Sequence, residues 1–167
     1  NDQGEVYAHD VHDHKVKLIE KNAKRLHLSS IQTKSGDSRK LVDVYGEAQF
    51  DRILLDAPCS GFGVIRRKPE IKYTKTAADV EQLSTIQFDL LTTAAQLLKE
   101  NGILVYSTCT IDEKENQEMV QRFLAAQPNM ALAPLGILQS NESLHIENDV
   151  LQVLPQQFNG DGFFVAA

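Results

Sequence analysis

The stretch Phe50-Asp51-Arg52-Ile53-Leu54-Leu55-Asp56-Ala57-Pro58-Cys59-Ser60-Gly61 decides the fold. Phe50 to Leu55 read as a buried strand. Pro58 and Gly61 must interrupt it, because proline has no amide to donate to a ladder and glycine marks a turn. The strand therefore exits into a loop that carries a carboxylate, Asp56, and a thiol, Cys59. The same arrangement recurs downstream, where a strand over Ile103 to Tyr106 runs out at Ser107-Thr108-Cys109-Thr110. Between the two, a helix is predicted from about Ala77 to Lys99, since Val80, Leu83, Ile86, Leu90, Ala94 and Leu97 fall on one face and Asn101-Gly102 ends it.

The alternation extends in both directions. Upstream, Val6-Tyr7-Ala8 forms a short strand ending in His9-Asp10, and Val16, Ile19, Ala23 and Leu26 follow at helical spacing. Leu28 to Thr33 reads as a second strand, with the turn at Gly36-Asp37. Downstream of Cys109, a helix is expected with Asp112, Glu113 and Glu115 in its first turn and Met119, Val120, Phe123 and Leu124 as its buried stripe; Pro128 helps to stop it. Val150 to Leu154 and Gly162 to Ala166 read as a terminal hairpin around Asn159-Gly160-Asp161. Strands alternating with helices indicate an α/β fold, with a mostly parallel sheet, helices on both faces and an antiparallel edge. Ligands of such sheets sit beyond the carboxyl ends of the strands. Asp10, Asp37, Asp56, Cys59 and Cys109 all fall there.

Composition narrows the setting. At 167 residues, 42% hydrophobic and 24% charged, the chain has the proportions of one soluble domain covering 1–167. No stretch is apolar for long enough to span a bilayer and the first residues do not resemble a secretory signal, so a cytoplasmic protein without membrane contact is expected. Two cysteines are too few for a disulfide scaffold and are expected to be free thiols. A net charge of −6 argues against a self-sufficient nucleic-acid binder. The compact basic cluster of Arg66, Arg67 and Lys68, followed by Lys72 and Lys75, lies in a segment that reads as loop. It suits a solvated surface and a nucleic-acid contact equally.

An isolated cysteine is by default a small buried apolar residue. Cys59 and Cys109 differ in lying at strand exits beside Ser, Thr, Pro and Gly. If their strands are neighbours, the strand ends lie roughly 5 Å apart whatever the separation in sequence. The following helix would favour a thiolate at Cys109 through its amino end. Neither cysteine has a second Cys or His at zinc-site spacing, and Ser60 lacks the Gly-x-Ser-x-Gly frame of a hydrolase. The imidazoles and carboxylates of His9-Asp10-Val11-His12-Asp13-His14 would splay around a first helical turn, so no metal site is expected. Asp10 reads instead as a strand-end carboxylate for a ribose, or as a cap for the next helix.

The segments Asp56-Ala57-Pro58-Cys59-Ser60-Gly61 and Ser107-Thr108-Cys109-Thr110 resemble the two-cysteine signature of the cytosine-5 RNA methyltransferases. The run from Gly63 to Lys72, Gly-Val-Ile-Arg-Arg-Lys-Pro-Glu-Ile-Lys, is similar to the bacterial Sun/Fmu (B-type) branch that acts on small-subunit 16S ribosomal RNA, as is Asp161-Gly162-Phe163-Phe164. The resemblance covers nearly the whole chain and is weakest between Leu132 and Asp149.

This resemblance implies a Rossmann-like class I methyltransferase sheet and S-adenosyl-L-methionine as cofactor. A cytosine takes a methyl group at C5 once a thiolate has added at C6. By the resemblance Cys109 is that nucleophile and Cys59 assists breakdown of the adduct. Asp56, grouped with both the catalytic and the cofactor-binding residues, holds the cytosine and stabilises its activated form. Asp10 corresponds to the ribose-binding residue and Asp37 to the one that contacts adenine. The implied partner is 16S ribosomal RNA, with the target base unpaired or flipped out. Members of the family carry one more strand and a Gly-rich loop before the first strand seen here, and an RNA-binding domain further upstream. The expectation is thus an N-terminally truncated methyltransferase domain, monomeric, lacking that first strand and loop, and inactive on its own. Competing readings are a cytosine-5 methyltransferase acting on tRNA or another rRNA site, and a non-catalytic RNA-binding module with the same fold.

Overall fold

The computed structural model describes residues 2–135, 144 and 146–167, so part of the weakly resembling stretch between Leu132 and Asp149 lies outside the described residues. The chain forms two compact units, Asn1–Tyr45 and Gly46–Ala167.

The first unit is built from strand β1 (Val6–Asp10), helix α1 (Asp13–Arg25) and strand β2 (Ile31–Ser35). The two strands pair in parallel from Val6 opposite Ile31 to Asp10 opposite Ser35. Helix α1 buries Val16 and Ala23, while Leu26, expected on the same stripe, is its C-cap and 54% exposed. Strand β2 starts later than the apolar run from Leu28 suggests. His27 takes a left-handed φ of 54°, which lets the Leu28 amide donate to the Ala23 carbonyl at 2.9 Å, so these residues close the helix. A 3-10 turn over Ser38–Lys40 leads into helix α2 (Leu41–Tyr45).

The second unit opens with strand β3 (Phe50–Asp56), followed by short helix α3 (Ile71–Thr74) in the segment expected as loop. Helix α4 (Ala77–Leu97) starts where its sequence predicts, because Thr76 and Asp79 form a reciprocal capping box. It ends sooner than expected. Leu98 is already extended and pairs with Phe50, opening strand β4 (Leu98–Thr108). Lys99 to Gly102 then bulge out of the ladder before Ile103 pairs with Arg52, with Asn101 left-handed at φ 60°. Asn101-Gly102 is thus an irregularity within a strand rather than a helix stop. A Cβ at Gly102 would stand 2.9 Å from the Lys99 carbonyl oxygen, so the bulge needs glycine there.

From Ile103 the register is regular: Ile53 opposite Leu104, Leu55 opposite Tyr106, Asp56 opposite Ser107. Helix α5 (Gln117–Ala126) precedes a terminal set of strands, β5 (Ile146–Glu147), β6 (Val150–Val153) and β7 (Phe163–Ala166). The sheet runs β3-β4-β7-β6-β5, parallel between β3 and β4 and antiparallel beyond. The α/β architecture and the terminal hairpin are as expected, with β5 as an added short strand. Among the described residues, no helix is long and apolar enough to cross a membrane.

Leu91 and Ala94 of α4, Leu104 and Tyr106 of β4, Met119, Val120 and Phe123 of α5 and Phe164 of β7 form the core of this unit. Phe164 has no exposure and meets the Tyr106 ring edge-on at 6.3 Å. Phe164→Ala is expected to lower the unfolding free energy by about 3–5 kcal/mol, measured by urea denaturation, because the site cannot collapse onto the lost ring.

Candidate active site

Parallel pairing of β3 with β4 sets the site. With Asp56 opposite Ser107, and the ladder extended one step by the Ala57 amide donating to the Ser107 carbonyl at 2.9 Å, the two exits leave the sheet side by side. The chain from Ala57 to Cys59 and the step from Thr108 to Cys109 then bring the sulfurs to 3.3 Å. Both thiols are half-buried and free of disulfide. Asp56 lies on the exposed side of the same exit, where the Ser107 hydroxyl donates to its Oδ1 at 3.3 Å.

The thiols are electrically unequal. The Cys59 S–H donates to the Cys109 sulfur, and this bond holds the Cys109 thiol at about 7, below the ordinary thiol value, against burial and the nearby Asp56 charge. The same bond, reinforced by burial, pushes the Cys59 thiol far up. As pH rises through about 7 the pair therefore loses its first proton from Cys109, which takes the negative charge, and keeps the second on Cys59. Helix α5 does not act as expected here. It begins only at Gln117, after a 3-10 turn over Glu113–Glu115, so its amino end does not follow directly on Cys109.

A buried polar network fixes both loops. Glu115, expected in a first helical turn as a partner of the helix dipole, lies in a 3-10 turn and has no exposure. Its carboxylate accepts from the Ser60 amide at 2.9 Å, from the Ser60 hydroxyl, and from the Gln87 side-chain amide at 2.9 Å. Gln87 also donates to the Pro58 carbonyl at 2.8 Å. The Thr110 hydroxyl donates to Ser60 Oγ at 2.7 Å, joining the Cys59 loop to the Cys109 loop. The neighbouring Asn116 accepts from the Thr108 hydroxyl at 2.6 Å and donates to the Thr110 carbonyl at 3.1 Å and to Gln152 at 3.0 Å. Sequence reasoning passes over Glu115, Gln87 and Asn116, because nothing in an amphipathic pattern marks a Glu or Gln as buried. The one available signal is the polar run beside Cys59 and Cys109.

A second set of bonds closes the loop from outside. Gly61 is left-handed at φ 77°, which turns the chain so that the Gly63 amide donates to the Cys109 carbonyl at 3.0 Å. Gly162 in turn donates to the Gly63 carbonyl at 2.8 Å, and Arg67 pairs with Asp161. A Cβ on Gly63 would come within 2.4 Å of the Gly162 carbonyl oxygen, so only glycine fits.

Asp10 and Asp37 lie in the first unit, at the carboxyl ends of β1 and β2. Asp10 accepts from the His12 amide at 2.8 Å and faces Lys15 at 3.5 Å, so it steadies the approach to α1 rather than serving as its N-cap, which is His12. Asp37 caps the 3-10 turn through the Arg39 amide, and the Arg39 guanidinium holds its carboxyl down to about 2. Both are carboxylates with partial exposure, acceptors suited to hydroxyl and amino groups of a nucleoside.

The fold and the paired strand exits are those of a Rossmann-like methyltransferase. The structure of NSun6 from Pyrococcus horikoshii with SFG superposes with a TM-score of 0.85 and 32% identity, over 99% of this chain and 41% of that one. The chain belongs to the 16S rRNA methyltransferase RsmB/F family, whose model matches residues 1–167. It is 45% identical over 167 residues to the probable ribosomal RNA small subunit methyltransferase B of Bacillus subtilis (strain 168), covering 99% of this chain and 37% of that relative. The ribosomal RNA small subunit methyltransferase B of Salmonella paratyphi A is 38% identical over 98% of this chain and 36% of its own length. The chain thus spans little more than a third of the relatives it matches.

The thiol pair gives a pH prediction. A lowered thiol value means that thiolate is present above it and lost as pH falls through it. The rate of Cys109 alkylation by iodoacetamide should rise with a midpoint near 7. In Cys59→Ala, which lacks the donor, the midpoint should move up toward the ordinary value of about 8.5.

Proposed function

We propose that this chain carries the reactive centre of an enzyme that transfers a methyl group from S-adenosyl-L-methionine to C5 of a cytosine in 16S ribosomal RNA, through a transient bond between Cys109 and C6. The observation that carries this reading is the 3.3 Å contact between Cys59 and Cys109, with the charge resting on Cys109. Membership of the 16S rRNA methyltransferase family supports the substrate class. The two units act as parts of one methyltransferase domain, on a cytosine that is unpaired or flipped out.

The Cys109 sulfur donates its electron pair to C6, and the electrons of the C5–C6 double bond move toward C5, with the negative charge shared through the ring. Asp56, at the strand exit, holds the cytosine and stabilises this activated form. Asp10 and Asp37 would hold the ribose and adenine of the cofactor, which supplies an electrophilic methyl group when bound. After methylation, the proton on C5 must leave. Cys59 assists here. Once the Cys109 sulfur is bonded to carbon it is no longer an anion, so its hold on the Cys59 proton is lost and burial alone still favours the thiol. After Cys59 has released its own proton to solvent, its thiolate can accept the C5 proton; the C5–H electrons then form the C5–C6 double bond while the C6–S electrons return to Cys109, freeing the RNA.

The test uses the protein as its gene encodes it, with labelled S-adenosyl-L-methionine and 16S RNA. Cys109→Ala should transfer no label, and Cys59→Ala should accumulate a covalent protein–RNA complex that runs as a slow band on a denaturing gel. Retained transfer in the first variant, or no slow band in the second, would refute these roles.

A further inference from the structure

Five of the seventeen Lys and Arg residues of this acidic chain fall between Arg66 and Lys75, with Glu70 as the sole carboxylate among them. Their arrangement separates structural cations from free ones. Arg67 is occupied by Asp161, beside the glycine contact that ties this loop to Cys109. Arg66, Lys68 and Lys72 are exposed and, among the described residues, form no ion pair. Ile71 turns inward, its Cδ1 lying 3.2 Å from where a Cβ on Gly61 would stand. That orientation leaves the adjacent Lys72 and Tyr73 outward. Tyr73 is 81% exposed, with the Lys72 ammonium 5.8 Å from its ring centroid.

We propose that Arg66, Lys68, Lys72 and Tyr73 form a docking strip for single-stranded RNA beside the thiol pair, with Tyr73 stacking on an unpaired base of the substrate. The inference rests on the RNA methyltransferase reading above and extends it to how the strand is held. Cations that track phosphates, interleaved with an aromatic face, are the composition of single-strand binding surfaces. A ring so exposed has a face left open for a base, and the lysine against it supplies charge to the neighbouring phosphate. The strip is held in register with the reactive sulfur: the Arg67 and Lys68 amides both donate to the Val64 carbonyl at 3.0 Å, one residue beyond Gly63, which is bonded to Cys109. RNA is favoured over an acidic protein surface because the strip borders the centre that a nucleic-acid strand must reach.

The experiment measures fluorescence anisotropy of a labelled single-stranded RNA containing one cytosine, with the protein as its gene encodes it, alongside methyl transfer to the same RNA. Tyr73→Ala should weaken binding about 10- to 100-fold, whereas Tyr73→Phe keeps the ring and should bind as the parent does. Arg66→Ala and Lys68→Ala should each make the slope of log affinity against log salt shallower by about 0.7. In turnover, Tyr73→Ala should raise the KM for RNA and leave kcat unchanged. All of these side chains are exposed, and an unchanged thermal midpoint shows that the variants remain folded. Methylation that proceeds with unaltered RNA affinity and salt slope in every variant overturns the strip and leaves the reaction standing. Weakened RNA binding by Tyr73→Ala in a protein that does not methylate cytosine supports the strip and overturns the reaction.

Discussion

A carboxylate that never meets water organises the reactive end of this protein. An ionised group is costly to bury unless hydrogen bonds replace its lost hydration. Glu115 satisfies that demand through Ser60 after β3 and Gln87 on α4, while the Tyr106 hydroxyl on β4 donates to the Glu115 backbone carbonyl at 2.7 Å and fixes the same residue from a third element. Removing any partner would leave a buried polar group unmatched, a loss of about 1–3 kcal/mol each. Cys59 is thereby flanked by the immobilised Ser60, and Cys109 by Thr108 and Thr110, both without exposure. The sulfurs are placed by rigid neighbours, as a reactive pair requires.

How much of this was legible follows from what hydropathy can express. The strand exits are legible because an apolar run broken by proline and glycine has one structural meaning, whereas adjacency of β3 and β4 is a condition in the sequence that only the sheet register meets. The buried face of α4 was read imperfectly. Val80, Ala94 and Leu97 are buried as expected, but Ser84, Gln87 and Leu91 occupy the centre while Leu83, Ile86 and Leu90 are only half-buried. A polar side chain turned inward to serve a carboxylate on another element looks identical in sequence to one facing solvent. For the same reason Glu115 looked like a dipole partner at a helix start. The bulge at Lys99 to Gly102 was hidden differently: Asn-Gly suits a helix end and a left-handed kink in a strand equally well, and only the partner strand decides.

Resemblance alone marks Asp56, Cys59 and Cys109 as candidates, and the structure adds a physical asymmetry between two chemically identical side chains. Neither sulfur differs from the other in its covalent structure. The difference arises from burial and from which of the two donates, properties of the fold that no motif encodes.

Gly63 and Gly162 touch backbone to backbone, and through them the final hairpin is linked to the Cys109 carbonyl by two consecutive hydrogen bonds. Residues at the far end of the polypeptide therefore behave as part of the reactive loop. Damage to β7, although remote in sequence from either sulfur, would be transmitted along this short relay to the loop that holds Cys109.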